Sequence, residues 1–206
     1  MIRGAALALL AALLTGDAAA SDTVAEPDSY HGEPYNTPVP ATLQGATVID
    51  GVKALTLQAE GVAFVDVYPR VVQPDGLPKG TIWREPRHTS IPGALWLWNT
   101  GYKRLTSEEQ ERLTAGLAQA TGGDPRAPVV IFCRADCWMS WNAARRAVDM
   151  GYTDVIWFPG GTDAWTDALG DDLIIVEPFL PKADIQLWDH PIGSQAESCC
   201  QGVPLP

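Results

Sequence analysis

The sequence predicts an α/β domain: a central, mostly parallel sheet flanked by helices, with irregular extensions at both ends. Three observations lead there. Short apolar, β-branched runs alternate along the chain with stretches of helical rhythm. The runs VAFVDVY (62–68), PVVIF (128–132) and DVIWF (154–158) have the length and composition of buried strands. Glycine and proline fall between these segments, where the chain has to turn.

The elements follow in chain order. ATVI (46–49) reads as a short strand and VKALTLQAE (52–60) as a helix. After the strand VAFVDVY, residues 69–90 are broken by Pro and Gly and read as a long loop, followed by a strand in ALWLW (94–98). Thr106 with Glu109 makes a capping box that opens a helix running to about Ala120 and stopping at Gly122 and Gly123. PVVIF runs directly into Cys133, and a helix over roughly Ser140–Met150 is closed by Gly151. DVIWF is followed by the turn Pro159-Gly160-Gly161 and a short helix through Trp165.

At the N-terminus, residues 1–20 carry one Arg, an apolar run from Ala5 to Leu14 and a small-residue ending, which predicts a secretory signal peptide too short to span a bilayer. The mature chain is then expected to start near Ser21, with no membrane span, and to work in the periplasm. Residues 21–45 are rich in Pro, Ser, Gly and acids without a hydrophobic period, and read as a flexible or irregular leader. The domain proper is assigned to 46–172. Residues 173–206 form a Pro-broken extension expected to pack back on the domain or to dock a partner.

A chain of 206 residues, 46% hydrophobic, can build one sizeable core. Its net charge of -11 leaves no basic stripe for phosphates, which argues against nucleic acid and against an anionic membrane surface.

Four cysteines in an exported chain suggest oxidation. They are Cys133 and Cys137, within VVIFCRADCWMSW, and the adjacent Cys199 and Cys200. Cys133 stands at the carboxyl end of a central strand, where α/β folds place their ligands. Amides converging ahead of a helix favour negative charge there, so a thiolate would be available as a nucleophile, with Arg134 adding to the field.

These segments resemble a rhodanese-like domain over about 46–172. FVDVY carries the family's acidic position at Asp66, HTSIPGA (88–94) matches its His-x-x-x-Pro-Gly-Ala segment, and VVIFC with the following helix and GYTDVIWFPGGTDAW matches the active-site strand, loop, helix and closing turn. The CRADCWMSW loop is similar to that of secreted Cys-Cys-Trp motif proteins associated with quinoprotein (PQQ-dependent) alcohol catabolism. The resemblance implies that Cys133 takes a sulfane sulfur from a small donor and passes it to a thiol acceptor. It also implies a periplasmic redox or quinoprotein partner. No cofactor is expected. The family's loop Arg, which binds an anionic donor, is replaced here by Cys137, Trp138 and Met139.

Three readings of the cysteine pair stay open. In the first, Cys133 is the nucleophile of sulfur transfer or dithiol exchange, with Cys137 as the second thiol and Arg134, Ala135, Asp136, Trp138 and Met139 shaping the substrate site. Asp66 and His88 then give structural support. In the second, the cysteines form an inert staple, including a bond to Cys199 or Cys200, on a non-catalytic binding or accessory protein. The third is a copper-binding metallochaperone with His88 as third ligand, since soft thiolates suit Cu(I). Trp138 and Trp141 share a helix face and belong to the core or to a pocket wall. Arg70 and Arg87 are candidate anion ligands.

Overall fold

The computed structural model describes residues 24–170 and 172–181. The signal-peptide assignment and Cys199–Cys200 lie outside the described residues.

In chain order the elements are β1 (Ala46–Val48), α1 (Gly51–Ala59), β2 (Ala63–Asp66), β3 (Thr89–Ser90), β4 (Leu95–Trp96), α2 (Ser107–Thr121), β5 (Val129–Phe132), α3 (Trp138–Asp149), β6 (Val155–Phe158), α4 (Gly161–Leu169) and β7 (Ile174–Ile175). Five strands form one sheet in the order β1-β6-β5-β2-β4, and every neighbouring pair is parallel. The α/β class read from the alternation is the fold observed.

Successive residues of a strand point to opposite faces, so a sheet covered on both sides must be apolar at every position. β5 and β6 meet this requirement. Val129 and Ile131 of β5, with Val155 and Trp157 of β6, pack into a core shared with α2 and α3, including Leu113, Leu117 and Trp141. Val130, Phe132, Ile156 and Phe158 pack on the other face with Ala54 and Leu57 of α1 and Trp165 of α4. The parallel register places the carboxyl ends of β2, β5 and β6 along one rim.

Local chemistry sets the helix ends. The capping box is present: the Thr106 hydroxyl accepts from the Glu109 amide at 3.2 Å, and the Glu109 carboxylate accepts from the Thr106 amide at 2.9 Å. Gly122, at φ 62°, takes the left-handed cap that lets its amide close the last turn. α3 starts at Trp138, two residues before the sequence-based start, because the Trp138 amide donates to the carbonyl of Tyr35, 2.9 Å away in the leader. ALWLW contributes only Leu95–Trp96 to the sheet, since the chain leaves it through Asn99 at φ 65°.

Two short strands were not legible. β3 lies within the end of the loop over 69–90, and β7 within the extension; they pair antiparallel, Thr89 with Ile175 and Ser90 with Ile174. Beyond β7, the Phe179 amide donates to the Trp96 carbonyl at 2.9 Å, so this stretch runs along the exposed edge of β4. An edge strand left bare is a template for unwanted pairing, and this coverage removes it. Residues 24–45 hold no helix or strand, yet they are anchored: the Asn142 side chain both accepts from the His31 amide and donates to the His31 carbonyl.

Thr106→Ala removes the hydroxyl half of the capping box. It is expected to cost about 1 kcal/mol of stability, read as a lower urea midpoint at unchanged slope.

Candidate active site

Cys133 continues the line of Val129 and Ile131 out of β5, and Cys137 is the N-cap residue of α3. Between them Asp136 turns the chain at φ 51°, a left-handed conformation that Asp tolerates better than most residues. The turn brings the two Cα atoms to 6.3 Å and a disulfide joins the sulfurs. Of the three readings of the pair, the bond that forms is within the loop rather than to the tail. Both cysteines are buried, Cys133 at 1% and Cys137 at 5% exposure.

The loop is held from two sides. From the α4 side, the Thr162 amide donates to the Cys133 carbonyl at 3.1 Å, and the Asp163 carboxylate accepts from the Ala135 amide at 2.8 Å. Gly161 sits at φ 50° against the loop backbone: a Cβ there would lie 2.6 Å from the Cys133 carbonyl carbon and 2.7 Å from the Arg134 Cα. From the leader side, Asn36 pairs as an antiparallel bridge with Cys137, and its side-chain carbonyl accepts from the Arg134 guanidinium at 2.5 Å.

A pocket of about 200 Å³ opens beside the loop, lined by Cys133, Arg134, Asp66, Tyr68, His88 and Asp163 among others. The ends of three strands thus meet there, as parallel sheets require of their sites. Asp66 is fully buried, which costs free energy unless its carboxylate is hydrogen-bonded. It is: one oxygen accepts from the Tyr68 amide at 2.8 Å, and the other from the Ser90 hydroxyl at 2.5 Å and faces His88 Nε2 at 2.7 Å. His88 itself stacks on Tyr68 at 5.3 Å and meets the Trp96 ring at a 33° tilt, 4.3 Å away.

The residues grouped with the site by sequence are therefore divided. Cys133, Arg134, Asp66 and His88 meet at the pocket. Ala135 and Asp136 stay on the loop, with the Ala135 amide already taken and Asp136 exposed. Trp138 and Met139 sit in the core instead, because α3 begins two residues early and turns them inward. Trp138 meets Trp141 edge-on at 5.6 Å and stacks on His31 at 3.9 Å, which decides for the core over a pocket wall. Arg70 donates two hydrogen bonds to Glu85 and so lowers the pKa of that carboxyl, while Arg87 is exposed. Among the described residues no group of three His, Cys, Asp or Glu side chains is arranged to hold a metal.

Sequence reasoning missed Tyr68, Ser90, Asp163 and the leader residues His31, Tyr35, Asn36 and Thr37. Tyr68 of FVDVY, Ser90 of HTSIPGA and Asp163 of GYTDVIWFPGGTDAW lay inside quoted motifs without being singled out; the leader contacts bridge about a hundred positions and leave no local pattern.

Gly161→Ala is expected to displace the loop, since both the left-handed backbone and the carbonyl of Cys133 oppose a methyl. Destabilisation of about 2 kcal/mol, with loss of the Cys133–Cys137 bond in a thiol assay of the folded protein, would bear this out.

Among curated proteins none matches this chain. The family model of the rhodanese-like domain matches residues 54–168, from the middle of α1 to the end of α4. The chain belongs to the rhodanese-like domain family.

Proposed function

We propose that this protein reduces sulfane sulfur through Cys133, with Cys137 as the resolving thiol. Membership of the rhodanese-like family supports a sulfurtransferase-like or thiol role. The observation that carries the finer reading is the disulfide between the cysteine at the end of β5 and the N-cap of α3, beside a pocket that Cys133 borders.

The cycle starts from the dithiol. The Cys133 thiolate attacks the outer sulfur of a small persulfide; the donor's S–S bond breaks and its thiolate leaves with the electron pair. Cys133 now carries one extra sulfur. The Cys137 thiolate then attacks Cys133 Sγ, the bond to the outer sulfur breaks, and hydrosulfide departs. Two electrons have passed from the loop to the sulfane sulfur, and the loop is left as the disulfide observed. An external dithiol of the thiol–disulfide oxidoreductase class restores the starting state.

Resolution by a second thiol fits a loop whose other binding groups are committed. Arg134 is tied to Asn36, the Ala135 amide to Asp163, and His88 to Asp66. The apolar N-terminus and the CRADCWMSW loop support the rest of the reading: export to the periplasm, with service to PQQ-dependent alcohol oxidation through a redox or quinoprotein partner.

The burial of both sulfurs supports a second reading, in which the disulfide is a staple on a non-catalytic binding protein. The two separate by experiment. The reduced protein is given a sulfane-sulfur donor, and products are followed as sulfide and by peptide mass. Native protein is expected to release one sulfide per Cys133–Cys137 bond formed. Cys137→Ser should retain one added sulfur at Cys133 and release none. Cys133→Ser should lose about a thousandfold or more in rate. Unchanged turnover in Cys133→Ser, or a disulfide that mild reductants never open, leaves the staple.

A further inference from the structure

Releasing a sulfur from a persulfide demands an acid. Without a proton the outer sulfur would depart as the sulfide dianion, a base far too strong to leave in water, so it must be protonated as the resolving thiolate attacks. The pocket of about 200 Å³ beside the loop is lined by five ionisable groups besides Cys133: Asp66, Tyr68, His88, Arg134 and Asp163. Four are unsuited to the task. The Asp66 carboxylate accepts from the Tyr68 amide and the Ser90 hydroxyl, and the Asp163 carboxylate from the Ala135 amide, so both serve as acceptors. A guanidinium does not give up its proton in a protein, and a phenol is a weaker acid than an imidazolium. His88 remains.

Its ring is held for the role. Nε2 lies 2.7 Å from the Asp66 oxygen that also accepts from Ser90, and a carboxylate oxygen only accepts, so Nε2 carries a hydrogen. The rings of Tyr68 and Trp96, 5.3 and 4.3 Å away, fix the imidazole plane. Nδ1 has no partner among the described residues, and the side chain keeps 14% exposure, so this nitrogen is the one left to serve a ligand.

We propose that His88 is the catalytic acid that protonates the departing sulfur, with Asp66 as its positioning residue. The inference rests on the thiol chemistry of the proposed function and names how its second step is completed. The imidazolium of His88 gives its Nδ1 proton to the outer sulfur, directly or through one water. The Cys137 thiolate attacks Cys133 Sγ, the bond to the outer sulfur breaks, and hydrosulfide leaves with the electron pair. His88 is left neutral, with its Nε2 hydrogen on Asp66, and regains a proton from solvent. The transferred sulfur sits one S–S bond, about 2 Å, beyond Cys133 Sγ. That atom is the one the imidazole meets, so no contact between His88 and the buried thiol is required.

The test mixes reduced full-length protein with glutathione persulfide for a single turnover, following sulfide over time and Cys133 by peptide mass. Imidazole buffer is varied at constant pH and ionic strength. Native protein is expected to release sulfide at a rate indifferent to the buffer, because its acid is internal. His88→Gln keeps an amide donor for Asp66 but has no proton to give. It should still take one sulfur at Cys133, release it about a hundredfold or more slowly, and recover part of the loss as the buffer is raised. A merely structural role for His88 predicts no such recovery. This inference is overturned by a native rate that climbs with buffer, or by a His88→Gln protein that releases sulfide at the native rate or slowly without response to buffer; the thiol reading then stands. The native measurement decides alone where His88→Gln does not fold. No sulfide from the native protein overturns both.

Discussion

The site depends on one constraint: the chain must pass from the end of a buried strand to the start of a buried helix between Phe132 and Trp138, with its backbone polar groups satisfied. A buried amide or carbonyl without a partner costs about as much as a lost hydrogen bond. The partners come from far along the chain. The Cys133 carbonyl is met by Thr162, the Ala135 amide by Asp163, the Cys137 carbonyl by Ser140 Oγ, and the Trp138 amide by Tyr35. Gly161 is the residue that lets α4 come this close, because any side chain would occupy the space of the Cys133 backbone. Ser140 in turn accepts from Trp157 Nε1 at 3.0 Å, fastening the first turn of α3 to β6. The disulfide is thus set within a loop whose shape other contacts also determine.

How much of this was legible follows from the range of each signal. β5 and β6 must fill two cores at once, so they are apolar at every position and stand out from their neighbours. The capping box of α2 is local, with Thr106 and Glu109 three apart, and reads directly. The start of α3 did not, because its first amide is satisfied by Tyr35 and not by a nearby Ser, Thr, Asp or Asn. The leader was legible in part: low hydrophobicity reads as an irregular backbone, but composition says nothing about anchoring. Tyr30 donates to Asp149 at 2.7 Å, and Arg146 lies over the Tyr30 ring at 4.0 Å while donating to the carbonyls of Tyr102 and Lys103. Such contacts depend on side chains that meet only after the sheet has formed.

The cysteines show the same limit at the site. Spacing left a nucleophile, a staple and a metal ligand all possible. The structure adds a distance: the 6.3 Å between Cα atoms falls within the range a disulfide tolerates. Asp66 is the complementary case. Its place at the end of β2 was legible, but its three partners were not, since His88 and Ser90 lie 22 and 24 positions further along the chain. Those bonds also hold the mouth of the pocket, because β3, which carries Ser90, is paired to β7 of the C-terminal extension.

A loop of this kind has two ways to manage an anionic sulfur: hold it with cations and amides, or discharge it with a second thiol. The first needs donors aimed at the sulfur. Here the cation on the pocket wall, Arg134, is bonded to Asn36 and lies 5.9 Å from the centre of the Tyr68 ring, and Asp163 brings a negative charge to the same wall. An uncompensated persulfide anion would face two carboxylates, Asp66 and Asp163, across a small cavity. In the proposed cycle, discharge by Cys137 removes that charge as hydrosulfide and leaves a neutral disulfide, which a buried site accommodates without ionic partners. The indole anchors α3 beneath the leader, and in the proposed cycle the thiol at its N-cap takes the place of a cation.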